Sequence, residues 1–325
     1  MTFPSLESIA PGIMRLPCPM RRFAPVNGWV IGAPGRQAIV DTGMPGEETL
    51  ALWVRGEAEG LIDGVEAVIC THMHRDHSGQ AKALMTRHRA PLFMGALEHA
   101  RLMTASTTTP EQGRARLRQF FHLLGLPAAL IATAQPIDYT MLAPFPAQFT
   151  PLTNDMTLEL GGEKWRVLLG GGHSPMAACL LSAQETYLLA GDQILPGSGP
   201  HITVGAAAPE ADPLTAYFNF LDRLKRLPDS LLVLPGHGAP FTGLAGHVAN
   251  LEQNHRRRLG RVLAGLEGAQ SCAEMARLAF SERAAERFGD LLPGMTLALA
   301  NHLWQAGQLR RHVDDAGVYR FERIS

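Results

Sequence analysis

The stretch Val65-Glu66-Ala67-Val68-Ile69-Cys70-Thr71-His72-Met73-His74-Arg75-Asp76-His77-Ser78-Gly79 decides how this chain folds. Its first six residues form an apolar, β-branched run that predicts a buried strand. The Ser78-Gly79 turn before residues 80–88 predicts the start of a helix. A cluster of histidines therefore lies where a strand ends and a helix begins, a position at which proteins often carry functional side chains.

Four side chains of this cluster are candidate metal ligands. His72 and His74 alternate in extended backbone, so both rings can face one way, whereas Asp76 and His77 follow on a tightening turn and can face a neighbouring point. Imidazole nitrogens with a carboxylate suit Zn²⁺, and they also accept Fe or Mn. The alternative is a solvated surface turn, which is common for an isolated His-x-His but rare for a strand-flanked His-x-His-x-Asp-His.

Composition limits the classes of protein to which the chain can belong. Its 325 residues, 46% hydrophobic and 18% charged, suit one large globular domain or one domain with a smaller appendage. The formal net charge of −1 gives no overall field that would recruit nucleic acid or an anionic membrane, so neither partner is expected. The basic run at residues 255–258 is interpreted as a solvated helix face.

The cysteines and the N-terminus predict a cytoplasmic protein. Cys18, Cys70, Cys179 and Cys272 are scattered without a Cys-x-x-Cys pair, which suits reduced, buried thiols. The first residues lack a basic region followed by an apolar run, so no secretory signal is expected. No apolar run reaches transmembrane length.

Strand signals recur over the first 245 residues, and several strands end in His or Asp. The run at residues 37–41 closes with Asp41, and later strands end at His173, Asp192 and His237, each preceded by glycine. Such residues project from one edge of a sheet, where ligands collect in α/β proteins. The order of strands and helices predicts a layered α/β fold with its site at that edge.

Two segments have a different, mostly helical pattern. Residues 80–150 are too long for a plain connector, and we predict a helical insertion that lies over the site and shapes a substrate pocket, with packing alone as the alternative. Residues 246–325 predict three helices, one with Ser271 and Glu274 in capping-box positions, and a hairpin turning at residues 314–317. This winged-helix-like segment lacks a concentrated basic helix, so we expect it to pack or to form a homodimer.

Residues 71–77 resemble the signature of the metallo-β-lactamase superfamily, and the resemblance extends over residues 10–245. It implies an αββα sandwich, with a catalytic domain of residues 1–245 and a small helical C-terminal domain of residues 246–325. It also implies two divalent metal ions, for which Zn²⁺ is our first expectation and Fe or Mn the alternatives.

The resemblance assigns the ligands residue by residue. A first ion is held by three histidines, a second by an aspartate and two histidines, and a carboxylate bridges them. The corresponding residues here are His72, His74 and His173 for the first ion, Asp76, His77 and His237 for the second, and Asp192 for the bridge. Asp41 matches an acidic residue that orients a ligand histidine by bonding to the ring nitrogen that does not bind the metal.

Residues 191–196 and 234–241 are most similar to the glyoxalase II-like and thioesterase-like branch, whose members are mostly hydrolases of thioesters, esters or lactones. Two cations about 3.5–4 Å apart generate a bridging hydroxide near neutral pH. Asp76 would orient this nucleophile or pass its proton to the leaving group. The sequence therefore predicts a dinuclear metal hydrolase acting on a small molecule, and it shows no Gly-x-Ser-x-Gly nucleophile elbow.

Several alternatives stay open at the level of sequence. Met176 and Ala177 stand where relatives commonly have an acidic residue and a second histidine, so the substrate is not assigned. An iron-containing oxidoreductase and a nuclease or phosphodiesterase of the same fold are the competing enzymes, and a non-catalytic sensor is the competing class. His201 follows a Pro- and Gly-rich loop after Asp192 and is a candidate substrate-pocket residue, or else an exposed loop residue.

Overall fold

The computed structural model describes residues 4–20 and 24–324. Its strands are β1 (Glu7–Ala10), β2 (Ile13–Cys18), β3 (Val26–Ala33), β4 (Arg36–Val40), β5 (Val65–Cys70), β6 (Leu92–Gly95), β7 (Thr150–Leu152), β8 (Thr157–Leu160), β9 (Glu163–Gly170), β10 (Ala177–Ser182), β11 (Tyr187–Gly191), β12 (Leu232–Pro235), β13 (Leu309–Val313) and β14 (Tyr319–Arg323). Its α-helices are α1 (Glu47–Ala58), α2 (Arg75–Ser78), α3 (Ala81–His88), α4 (Ala96–Thr107), α5 (Pro110–Leu123), α6 (Ala128–Thr133), α7 (Pro213–Leu224), α8 (Leu244–Gly265), α9 (Cys272–Ala279), α10 (Glu282–Phe288) and α11 (Leu292–Gln305). Short 3₁₀ helices occupy Thr140–Leu142 and Gly289–Leu291.

The described chain divides into two compact units. The first contains the residues up to Thr107 together with Tyr139–Pro200 and Leu224–His247, and the second contains the remainder. Residues 108–138 and 201–223 therefore belong to the second unit, although both precede the boundary at residue 245 that the sequence suggests. The catalytic role of the first 245 residues stays a prediction.

The first sheet places one row of strand ends at a common edge. Strands β1 to β7 lie in sequence order, antiparallel from β1 to β4 and parallel from β4 to β7. Because β4 and β5 run in parallel, their carboxyl ends meet, and the N–H of Asp41 donates to the Ile69 carbonyl at 2.8 Å. The residues after β4 and after β5 are thus neighbours.

The second sheet repeats this arrangement in the same unit. Its strand order is β12-β11-β10-β9-β8, and only β11 and β12 are parallel. The residues that follow these two strands, Asp192 and Gly236, consequently emerge side by side. The loop between β9 and β10 opens at the same edge, because β10 begins where its antiparallel neighbour β11 ends.

The two sheets pack face to face through a shared apolar core. Trp29, Ile31 and Ile69 from the first sheet lie in one cluster with Trp165 and Leu180 from the second. On its other face the first sheet contacts helices α1, α3 and α4 through a second cluster that contains Leu52, Trp53, Leu84 and Leu102. The predicted α/β sandwich with C-terminal helices is confirmed.

Some predicted elements are confirmed and others were missed. The capping box of Ser271 with Glu274 is present at the start of α9, and β13 and β14 form the predicted hairpin. The segment 80–150 is not wholly helical, because β6 and β7 within it join the first sheet. Short apolar runs of this kind do not distinguish strand from helix by their periodicity. No helix in the described part of the chain is long and apolar enough to cross a membrane.

Candidate metal centre

The first unit brings the seven candidate ligands together at one edge of the two sheets. Three of the histidines and one aspartate follow β5, and each of the other three candidates follows a strand of the second sheet. A backbone hydrogen bond from the N–H of Ala178 to the Thr71 carbonyl, at 2.8 Å, connects the loop after β5 to the start of β10. The fold therefore positions side chains that are far apart in sequence.

The first group consists of His72, His74 and His173, whose ligand atoms lie within 4.8 Å of one another. Nδ1 of His74 lies 3.0 Å from Nε2 of His72 and 3.0 Å from Nε2 of His173. Ligands that surround zinc tetrahedrally at about 2.0–2.1 Å are about 3.3–3.4 Å apart. Small adjustments of the rings would thus accommodate a cation among these three nitrogens.

The second group consists of Asp76, His77 and His237. Oδ2 of Asp76 lies 3.7 Å from Nε2 of His77 and 3.3 Å from Nε2 of His237. These separations also bracket the spacing expected around one divalent ion, about 3.3–3.4 Å for tetrahedral zinc. A carboxylate oxygen with two imidazole nitrogens completes a second set of three donors beside the first.

Asp192 lies between the two groups. Its Oδ2 is 3.5 Å from Nε2 of His173 and 3.6 Å from Nε2 of His237, and its Oδ1 is 3.4 Å from Nε2 of His77. One carboxylate therefore faces histidines of both groups. This is the position that a bridging ligand requires.

Hydrogen bonds behind the rings orient three of the histidines. Nδ1 of His77 lies 2.7 Å from Oδ2 of Asp41, and Nδ1 of His237 lies 3.1 Å from the carbonyl oxygen of Pro25. Because both partners accept, each Nδ1 donates, and the lone pair is left on Nε2, facing the site. For His72, the Thr71 hydroxyl donates to Asp41 and accepts from the His72 Nδ1 at 3.0 Å, with the same result.

The carboxylates and His77 carry strong, opposite pKa shifts. Burial alone would raise the pKa of Asp192, but its attraction to His77 outweighs burial and holds this pKa far below its usual range. The same balance, with a hydrogen bond from His237, lowers the pKa of Asp76. Burial opposes protonation of His77, yet Asp41, Asp192 and Asp76 raise its pKa well above the ordinary value. The site thus strongly favours positive charge at its centre.

Two of the donor atoms are buried without a hydrogen-bond partner in the described structure, Nε2 of His77 and Oδ1 of Asp192. Buried polar atoms normally find a partner, and a bound ion is one of the reasons why such an atom lacks one within the protein. Gly236 stands beside both atoms, since a Cβ there would overlap Oδ1 of Asp192 and lie 2.8 Å from Cε1 of His77. The chemistry and spacing of these donors fit divalent cations.

Glu98 is a residue of this site that the sequence did not reveal. It is fully buried in the first turn of α4, and its carboxylate accepts the N–H groups of Met73 and Met176 at 2.9 and 2.6 Å. Burial raises its pKa, and the two backbone hydrogen bonds partly offset that effect. The two N–H groups that it accepts belong to the backbone, and such contacts leave no mark in a sequence.

His201 lies in the second unit, where its ring contacts that of Phe288 at a centroid distance of 4.8 Å. This edge-to-face contact gives the ring a local packing role. Its assignment to a substrate pocket stays a prediction.

Comparison with known proteins gives a family match and structural relatives. A model of the metallo-beta-lactamase superfamily matches residues 21–237. Among proteins with curated descriptions, none matches this chain.

Two solved structures resemble almost the whole chain. A beta-lactamase domain protein from Burkholderia ambifaria is 28% identical, with a TM-score of 0.84, over 98% of this chain and 93% of that one. A metallo-beta-lactamase family protein from Thermus thermophilus is 26% identical, with a TM-score of 0.78, over 98% of this chain and 100% of that one. A metallo-beta-lactamase from Pontibacter korlensis shares the fold over 77% of this chain, with a TM-score of 0.51 and 20% identity. The similarity to the first two therefore extends over the C-terminal helices of this chain as well as its sandwich.

Proposed function

We propose that this chain, which belongs to the metallo-beta-lactamase superfamily, is a dinuclear metal hydrolase that acts on a small thioester, ester or lactone. The observation that carries the proposal is the convergence of seven imidazole and carboxylate donors in two adjacent groups that share Asp192. A module that only binds a ligand has no need of two complete donor sets.

The proposed ligands are the first group for one ion, the second group for the other, and Asp192 between them. When bound, two divalent cations lower the pKa of a coordinated water and stabilise the negative charge that develops on an attacked carbonyl oxygen. We propose Zn²⁺, because imidazoles dominate the donor set, with Fe or Mn as alternatives that the same ligands accept. An iron-containing oxidoreductase is the competing function, and metal analysis distinguishes the two.

Asp76 is the proposed catalytic residue. Its carboxylate is 16% exposed, and its low pKa keeps it ionised at neutral pH. So weak a base is poorly suited to hold a proton, so we assign Asp76 to orienting the attacking water by accepting its hydrogen bond. Burial lowers the pKa of His72 and of His74, which favours the neutral form of these two rings.

We propose a small molecule rather than nucleic acid as the substrate. In the winged-helix-like segment, α11 would be the helix that enters a DNA groove, but nine of its fourteen residues are buried. A helix so enclosed has no face left for base edges. The net charge of −1 agrees with this, since phosphate contacts require a concentration of Lys and Arg. Packing or homodimer formation is our proposal for this segment.

A cytoplasmic location is also proposed. The support is that all four cysteines, each within the described residues, are buried and free of disulfides. Reduced thiols are typical of a reducing compartment.

The proposal is tested by metal analysis together with a substrate panel. The protein is purified without added metal, its Zn, Fe and Mn contents are measured, and hydrolysis of short-acyl thioesters, lactones, β-lactams and phosphate diesters is assayed. We expect about two ions per chain and turnover of a thioester or lactone. Asp76→Ala and His74→Ala should abolish turnover with little change in circular dichroism.

His312→Ala is the matched control, because His312 is exposed on β13 and should retain full activity. Turnover that survives in both site variants would refute the assignment. Turnover of phosphate diesters alone would replace the proposed substrate class with the nuclease alternative.

A further inference from the structure

The Glu98 carboxylate connects two loops that carry candidate ligands of the first group. Oε2 accepts the N–H of Met73, which stands between the first two histidines of the motif, at 2.9 Å. Oε1 accepts the N–H of Met176, at the end of the loop that carries His173, at 2.6 Å. One side chain thus spans the two halves of a site whose nitrogens must keep a fixed separation.

The carboxylate is presented from a rigid part of the fold. Glu98 lies in the first turn of α4, directly after β6, which pairs with β5 in the first sheet. At Gly95, the last residue of β6, a Cβ would lie 2.9 Å from the carbonyl oxygen of Met176, so this junction packs closely on the His173 loop. A buried carboxylate pays a desolvation cost that an apolar side chain avoids, so stability alone is a weak reason for it here.

The second group is held by other contacts. The carbonyl of His77 accepts the N–H of Thr42 at 2.8 Å and its hydroxyl at 2.9 Å, and Asp41 holds the His77 ring. The His237 ring is held by the carbonyl of Pro25. Within the described residues, these hydrogen bonds do not involve Glu98, so its loss should spare the second group.

We propose that Glu98 is a positioning residue that sets the separation of His74 from His173 and thereby the affinity of the first group for its cation. The inference rests on the function proposed above, since it requires this group to bind metal. Glu98→Gln keeps the volume of the side chain but turns an amide NH₂ towards one of the two backbone N–H groups. The amide NH₂ and this backbone N–H are both donors, so the hydrogen bond between the side chain and that loop is lost.

The test measures Zn²⁺ affinity, by competition with a coloured chelator, in two backgrounds. His237→Ala disables the second group and leaves the first, whereas His173→Ala does the reverse. In the His237→Ala background E98Q should weaken Zn²⁺ binding about 10-fold or more. This loss is typical when a residue that orients the metal ligands without binding the metal is replaced. In the His173→Ala background the change should stay within about twofold, because the hydrogen bonds that hold His77 and His237 do not involve Glu98.

Gln37→Glu is the matched control for general destabilisation. Gln37 is also fully buried and connects two backbone groups, the Leu61 carbonyl and the Asp63 N–H. It pairs with Val65 at the start of β5, and the histidines follow the other end of this strand, which lies about 16 Å away at about 3.3 Å per residue. This variant should lower the unfolding temperature and leave both Zn²⁺ affinities unchanged.

Each outcome bears on the inference. Equal losses in the two backgrounds, or no loss in either, overturn the positioning role of Glu98 and leave the proposed function intact. If the unmodified protein binds no Zn²⁺, Fe or Mn, the proposed function fails and the inference with it. If circular dichroism shows that metal-free E98Q is unfolded, Glu98→Asp, which keeps both oxygens but is one methylene shorter, replaces it in the same comparison.

Discussion

At the scale of single residues, the site depends on one carboxylate that binds no metal in the proposed assignment. Asp41 has a φ of 58°, in the left-handed region that Asp tolerates better than most residues. From this position it accepts from the N–H and hydroxyl of Thr71 and from the ring of His77. Two histidines, one in each group, are thus oriented directly or indirectly by a single side chain, as metal-bound imidazoles commonly require.

Gly236→Ala should disrupt the site by its volume alone. The added Cβ would overlap Oδ1 of Asp192 and lie 2.8 Å from Cε1 of His77, and neither group has room to withdraw in a buried site. We expect Zn²⁺ affinity to fall at least about 10-fold and hydrolytic turnover to fall with it. Chelator competition and turnover measured on the same preparation provide the check.

The matched control is Gly205→Ala, because a Cβ at Gly205 meets no atom within 4 Å. It should behave as the unmodified protein in both measurements. If Gly236→Ala keeps the original affinity, Asp192 and His77 have more freedom than the packing indicates, and the bridging role of Asp192 loses its support.

At the scale of helices and strands, the sequence predicted what is local and missed what depends on tertiary contacts. The strand β5 and the histidines after it form one continuous pattern, so their bounds and their place at a sheet edge followed from the sequence. The role of Glu98 did not, because its partners are backbone N–H groups 25 and 78 residues away. The assignment of residues 108–138 to the second unit likewise depends on contacts that no local pattern encodes.

Helix α8 contains a buried histidine that should make stability depend on pH. His255 packs edge to face against Tyr217 and Phe218, and burial, reinforced by Arg258 and His302, lowers its pKa to about 3. Below pH 6.5 the unfolded chain binds a proton that the folded chain does not. Stability is therefore fully present above pH 6.5 and falls as the pH drops towards 3, by at most about 1.4 kcal/mol per pH unit from this group.

Urea unfolding of the unmodified protein and of His255→Leu between pH 7.5 and 5 tests this contribution. The variant should lose less stability over that range, since Leu fills the apolar site without a group to titrate. His312→Leu, which changes an exposed histidine, should keep the original pH dependence. Parallel curves for the unmodified protein and His255→Leu would show that other groups cause the acid sensitivity.

At the scale of the whole molecule, a nearly neutral chain concentrates negative charge at one buried place. The formal net charge is −1, yet Asp41, Asp76 and Asp192 are all ordered around the same cluster of histidines. Buried carboxylates are tolerated when they are paired or bind metal. Cations in this site would therefore stabilise the folded state as well as supply the chemistry of hydrolysis, and stability becomes a readout of metal binding that needs no substrate.

Removal of metal should accordingly lower the unfolding temperature. Zn²⁺ that binds only the folded state stabilises it in proportion to the logarithm of its free concentration, by about 1.4 kcal/mol per tenfold at each saturated site. We expect a strong chelator to lower the midpoint of thermal unfolding and added Zn²⁺ to restore it. Mg²⁺ should restore little, since it prefers oxygen ligands to imidazole.

His173→Ala, which lacks one ligand of the first group, should respond less to both treatments. A midpoint that neither chelator nor Zn²⁺ changes would mean that the clustered carboxylates are balanced by protons, as the raised pKa of His77 allows, and that the site does not need a metal to stay folded.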